Sequence, residues 1–157
     1  MKIRIIMMGK TREAFIQEGF GMYRKRLTKY INFEDLTIPV LKNTKNLSPL
    51  QVKSAEGKLI LKHIKPDEKT ILLDENGKKY SSESFADFIQ QQMNTGIKSL
   101  SFVIGGAHGF SKEVIQAANG KVSLSPMTFS HQIVRLVFIE QLYRAMTILN
   151  NEPYHNA

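Results

Sequence analysis

The chain contains no cysteine, which removes disulfides, thiolate metal ligands and a cysteine nucleophile from consideration together. It also lacks an apolar run of membrane length. The longest apolar stretch, from Ile133 to Leu149, is interrupted by Arg135, Glu140 and Arg144, whereas a spanning helix needs about 20 predominantly apolar residues. At the N-terminus, Lys2 and Arg4 flank an apolar run too short for a secretory signal. These features are compatible with the cytoplasm and argue against a membrane partner. The four histidines, His63, His108, His131 and His155, show no metal-ligand spacing, so no metal is expected.

Two phosphate-binding signatures are missing as well. There is no G-x-x-x-x-G-K-[ST] loop. Gly105, Gly106 and Gly109 resemble G-x-G-x-x-G only with a wrong middle spacing, and Leu124 and Ser125 stand where a ribose-binding acid belongs. Nucleoside triphosphate and nicotinamide chemistry are both disfavoured. Internal repeats, low-complexity tracts and Pro/Gly-rich linkers are absent too, and 157 residues suit a single domain spanning 1–157.

What is present is positive charge, unevenly placed. Lys and Arg number 22 against 14 Asp and Glu, a net of +8. Residues 1–65 hold 14 basic and 5 acidic side chains, and residues 66–157 hold 8 and 9. The excess lies wholly in the first part, which is where a polyanion would find its electrostatic footprint. Arg24, Lys25, Arg26 and Lys29 form one basic helical patch there, read either as a phosphate contact or as a solvated face.

Short β-branched runs alternate with helical patterns. Strands are predicted at Ile3–Met8, Phe33–Val40, Thr70–Asp74, Ser99–Ile104 and Val122–Leu124, with helices at Thr11–Lys29, Ser48–Ile64, Ser82–Asn94, Ser111–Asn119 and Ser130–Asn150. Ser48, Pro49 and Gln51 spell a capping box with proline at the first helical position. Glu75-Asn76-Gly77-Lys78 reads as a turn. This alternation predicts an α/β fold with a mostly parallel sheet covered by helices on both faces. The last helix is apolar around most of its circumference, which predicts burial against a second subunit in a two-fold homodimer.

In a parallel sheet, ligands sit beyond the carboxyl ends of the strands. Three segments end strands in that way: Leu72-Leu73-Asp74, Ile104-Gly105-Gly106-Ala107-His108-Gly109, and Leu124-Ser125-Pro126-Met127-Thr128-Phe129. The glycines read either as tight turns or as places where a ligand approaches the backbone. Glu140 and Arg144, one helical turn apart, read as a salt bridge. His131 and Arg135 share a helix face and read either as interface residues or, with Arg144, as contacts to phosphate or base.

The two latter strand-end segments, together with Glu140-Gln141-Leu142-Tyr143-Arg144-Ala145, Pro153-Tyr154-His155, Gly9-Lys10 and Tyr23-Arg24-Lys25-Arg26-Leu27, resemble a family. It is the bacterial SPOUT-superfamily group that methylates N3 of a pseudouridine in large-subunit (23S) ribosomal RNA. The resemblance covers nearly the whole chain. It implies a C-terminal trefoil knot, a homodimer, and S-adenosylmethionine cradled by Leu73, Gly105, Leu124, Ser125, Pro126, Met127, Thr128 and Phe129. It also implies ribosomal RNA, free or in an assembled ribosome, as the partner. His155, with Tyr154 beside it on a mobile tail, is the candidate for ordering and deprotonating the target base. The family tail often continues with arginine, where Asn156 stands here. Two rival readings are a non-catalytic RNA-binding or ribosome-associated module, and a SPOUT methyltransferase with another RNA target.

Overall fold

A computed structural model describes residues 1–156. Ten elements follow in order: β1 (Lys2–Met8), α1 (Ala14–Leu27), β2 (Asn32–Ile38), α2 (Pro49–Leu61), β3 (Lys69–Lys79), α3 (Ser82–Asn94), β4 (Ser99–Ile104), α4 (Lys112–Ala117), β5 (Gly120–Ser123) and α5 (Ile133–Leu149). The five strands form one sheet in the order β2-β1-β4-β3-β5, with every pairing parallel.

Strand periodicity builds two cores. In β1, Ile3, Ile5 and Met7 join Phe20 and Leu27 of α1, Phe85 and Ile89 of α3, and Phe138, Ile139 and Leu142 of α5. The alternate residues Ile6 and Met8 face the other way, with Ile60 of α2 and Val114 of α4. A side-chain period of two along each strand therefore assigns three helices to one face and two to the other. At about 25 cal/mol per Å² of apolar surface, two such buried layers are the main stabilising contribution.

Helix starts follow local chemistry. Ser48 accepts from the Gln51 backbone while the Gln51 side chain accepts from the Ser48 backbone, and Ser81 and Ser84 repeat the reciprocal arrangement at α3.

One expectation needs correction. Glu75-Asn76-Gly77-Lys78 is not a turn but part of β3, which re-joins β5 after an irregularity between Leu73 and Lys78. There a Cβ on Gly77 would lie 2.6 Å from the Val122 nitrogen and 2.7 Å from the Lys121 carbonyl carbon, so glycine permits a close approach of the β3 and β5 backbones. The last helix is also less bare than its composition suggested. Helices α1 and α3 pack along its two sides, and Phe138, Ile139, Leu142, Ala145 and Met146 are buried within the same chain. These neighbours and the sheet cover part of the apolar circumference of α5, and Ile133, Val134, Leu136 and Val137 remain half-buried.

Candidate functional site

The connections explain where a cleft opens. The β3-to-β4 crossover carries α3 over one face, and the β4-to-β5 crossover carries α4 over the other. The two straddle β3, and the carboxyl ends of β4 and β5 meet the irregular middle of β3, from Leu73 to Asn76, around a cavity of about 410 Å³. That volume lies in the range of small-molecule sites.

Its walls gather the three expected segments. Leu73 and Asp74 come from β3, Ile104 through Phe110 from the glycine loop, and Leu124, Ser125, Met127, Thr128 and Phe129 from the loop after β5. Pro126 alone of that run does not line the wall. Lys53, Phe110, His131 and Val134 line it as well. Composition and spacing had not singled out Lys53, Phe110 or Val134 for a site, since each sits within or beside a helix whose pattern reads as ordinary packing or solvent exposure.

Local hydrogen bonds set the loop after β5. Ser123 donates to the Ser125 carbonyl at 2.9 Å, and the Met127 backbone N–H donates to Ser125 Oγ at 3.0 Å. Thr128 donates to Glu75 at 2.6 Å and so ties this loop to β3. Behind the glycine loop stands Glu56 of α2. A Cβ on Gly106 would lie 2.7 Å from Glu56 Oε2, so a larger residue there would require the Glu56 carboxyl group to move. Burial raises the Glu56 pKa, with His108 pulling the other way, and its Oε1 has no hydrogen-bond partner.

Arg135 requires a correction. It is fully buried and cannot meet a phosphate. Its guanidinium donates to the carbonyls of Met8 and Gly9, both at 2.8 Å, to Thr11 Oγ1 at 3.0 Å and to the His131 carbonyl at 3.0 Å. A planar fork with several donors is suited to this task. Burial, and then the neighbouring Arg12, lower its pKa to about 10, which leaves it charged at neutral pH. Burial first, then Arg135 and Arg12, also lower the His131 pKa, so that cavity-lining ring is held neutral.

Tyr154 and His155 lie elsewhere. His155 bonds Arg144 at 3.2 Å through Nδ1 and Glu83 at 2.8 Å through Nε2. Tyr154 donates to Glu140 at 3.1 Å, beneath the Arg144 guanidinium 4.8 Å from its ring centroid. The expected Glu140–Arg144 salt bridge forms, and it holds this cluster together. Burial and the bond to Tyr23 push the Tyr154 pKa up. Neither tail residue lines the cavity of its own chain. The α1 patch is divided too: Arg24 pairs with Asp35 at 2.7 Å, Arg26 stacks on Tyr23 and Tyr143, and Lys25 and Lys29 point to solvent.

Among the described residues, no three His, Asp or Glu side chains cluster as a metal site would need, and no helix is long and apolar enough to cross a membrane.

Comparison with known proteins gives a consistent result. A family model described as predicted SPOUT methyltransferase matches residues 1–155. A protein of Parabacteroides distasonis named ribosomal RNA large subunit methyltransferase H is 54% identical over 156 residues, covering 99% of both chains. Its namesake in Christiangramia forsetii is 56% identical over 156 residues, again with 99% of both chains covered. A probable methyltransferase structure from Bordetella pertussis shares the fold at a TM-score of 0.56 and 13% identity, over 92% of this chain and 95% of that one.

Proposed function

This chain belongs to the family of predicted SPOUT methyltransferases, and from that premise we propose that it methylates N3 of a pseudouridine in large-subunit ribosomal RNA, with S-adenosylmethionine as donor. The observation that carries the proposal is the convergence of the loops after β4 and β5 with the Leu73–Asn76 stretch of β3 on one cavity. The cavity suits the donor chemically. Leu73, Ile104, Leu124, Phe129 and Val134 offer apolar walls for an adenine, while Asp74, Glu75 and Lys53 offer charges for a zwitterionic amino-acid end. The close seat of Gly106 on Glu56 leaves backbone rather than side chain facing that space. Of the proposed cofactor contacts, Leu73, Gly105, Leu124, Ser125, Met127, Thr128 and Phe129 all lie on this wall, and Pro126 acts by shaping the loop.

When bound, S-adenosylmethionine supplies an electrophilic methyl group, so the protein's task is alignment. Fixed geometry of this kind contributes about 7–11 kcal/mol of barrier reduction. The N3 proton must also leave, and we assign its removal to His155, ordered by Tyr154 and Arg144. Because the tail lies outside its own cavity, that role requires the tail of a second copy, and we propose a homodimer. The exposed apolar side chains of Phe15 and Met22 on α1, and Met127 and Phe129 beside the cavity, support an interface there. We retain the α1 patch (Arg24, Lys25, Arg26, Lys29) and His131 as RNA contacts, and place the protein with its RNA in the cytoplasm. A trefoil knot is the proposed threading, in keeping with the family and with crossovers on opposite faces of β3.

Calorimetry with S-adenosylmethionine tests the reading directly: binding is expected, and its absence would leave only a non-catalytic RNA-binding module. Methyl mapping on ribosomal RNA from a deletion strain then checks the target nucleotide. His155→Ala is expected to reduce turnover far more than donor affinity, and equal losses in both would contradict the assigned role.

A further inference from the structure

We propose that the loop from Gly9 to Glu13 is a phosphodiester clamp, in which Lys10 and Arg12 hold the RNA backbone beside the cavity. The proposal rests on the functional reading above, since it takes RNA as the substrate. It places the contact at a different part of the molecule from the α1 patch.

The loop is unusually well fixed for a surface connection. Arg135 takes the carbonyls of Met8 and Gly9, Gln132 Nε2 donates to the Lys10 carbonyl at 3.2 Å, and Gln17 Nε2 donates to the Thr11 carbonyl at 2.6 Å. Four successive carbonyl oxygens are thereby engaged by side-chain donors. Gln132 also accepts from the Arg12 backbone N–H at 2.9 Å. Thr11 Oγ1 accepts from Arg135 as well. With its acceptors so occupied, the loop exposes the side chains of Lys10 and Arg12.

Those two cations have no carboxylate within ion-pair distance among the described residues, whereas Lys2, Arg4, Arg24, Lys65 and Arg144 each have one. Arg12 also lies within electrostatic reach of the cavity wall, because its charge acts on His131 as well as on Arg135. Ordering of the loop before binding lowers the conformational entropy lost when a phosphate arrives. Cationic side chains left unpaired on a fixed loop suit a polyanion whose counterions are released on contact. The buried Arg135 is a positioning residue in this arrangement, acting through the backbone it holds.

The test measures binding of purified large-subunit ribosomal RNA to the full chain over a salt series. For the double variant Lys10→Gln/Arg12→Gln, the slope of log affinity against log salt is expected to shrink by about 1.4–1.8, since each lost phosphate contact removes about 0.7–0.9. Affinity for S-adenosylmethionine by calorimetry should be unchanged. Lys58→Gln/Lys62→Gln, which removes two exposed α2 cations, serves as the charge-matched comparison. An unchanged slope in the loop variant, or an equal loss in the α2 variant, overturns the clamp while leaving the enzymatic reading intact. Failure of the unaltered protein to bind either the purified RNA or assembled ribosomes overturns both.

Discussion

The two ends of the sheet carry similar numbers of cations but treat them differently. At the amino ends of the strands, Lys2 pairs with Glu34 at 3.0 Å, Arg4 with Glu68 at 2.7 Å, and Lys65 approaches Glu68 at 3.9 Å. Ser101 adds a hydrogen bond to Glu68. At the carboxyl ends, Lys10, Arg12 and Lys53 have no such carboxylate partner among the described residues, and the one buried guanidinium there, Arg135, is held by backbone oxygens. The cations carried on and just before the strands at one end are thus met by neighbouring carboxylates, whereas those of the loop beside the cavity are not. A charge count cannot make that distinction, because it depends on which carboxylates folding brings near.

The sharpest way to test the contrast is to remove the buried cation at each end. Arg4→Met strands the Glu68 carboxylate and is expected to cost about 3–5 kcal/mol, as for other broken buried pairs. The double variant Arg4→Met/Glu68→Met should recover most of that loss, since a pair of charges can be exchanged for apolar packing. Arg135→Met should cost a similar amount, but here no second substitution can help: the stranded partners are the carbonyls of Met8 and Gly9. Denaturant unfolding of the four proteins measures both. Recovery of Arg135→Met by a side-chain substitution nearby would break the comparison.

A smaller but still large effect is expected where the β3 and β5 backbones come closest. Gly77→Ala sets a methyl group against the backbone of Lys121 and Val122, which cannot rotate aside as a side chain would. A loss of about 3 kcal/mol is expected, at the upper end for overpacking. Gly21→Ala, in α1 with nothing within 4 Å of the added atom, should instead stabilise by about 0.5–1 kcal/mol through helix propensity. Thermal unfolding distinguishes the signs. Destabilisation by Gly21→Ala would place that face of α1 against a partner.

These contrasts also mark what was legible in the sequence. Alternation of strands and helices, the Ser48 capping box and the three strand-end segments were all readable, because each depends on neighbours a few residues away. The extension of β3 was not. Asn76-Gly77 is a local turn signal, and it is overridden by pairing of Lys78 and Lys79 with Val122 and Ser123, a long-range term with no local trace. Arg135 was misread for a related reason: an arginine within a helix looks like a surface group until distant carbonyls are brought to it. The apolar circumference of α5 revealed how much surface must be covered but not that α1 and α3 cover part of it. Lys53, Phe110 and Val134 reach the cavity through helix placement, which periodicity leaves open.

The smallest expected effect concerns protons at the cavity rim. His131 has its pKa lowered from 6.5 by burial, then by Arg135 and Arg12. Its ring is therefore neutral in the folded chain at a pH where the unfolded chain has begun to protonate it. The sign follows: the unfolded state binds more protons, so stability is whole above about 6.5 and declines as pH falls toward the folded value. His131→Asn should flatten that decline in unfolding curves taken between neutral and mildly acidic pH. The same ring offers a more specific check on the comparison of the two ends. A phosphate seated on Lys10 and Arg12 would offset the cations that hold His131 neutral, raising its affinity for a proton. RNA binding should then take up a proton, and affinity should rise as pH falls from 7 more steeply in the unaltered protein than in His131→Asn. Substitution of Lys2, at the already neutralised end, should leave that pH dependence as it was.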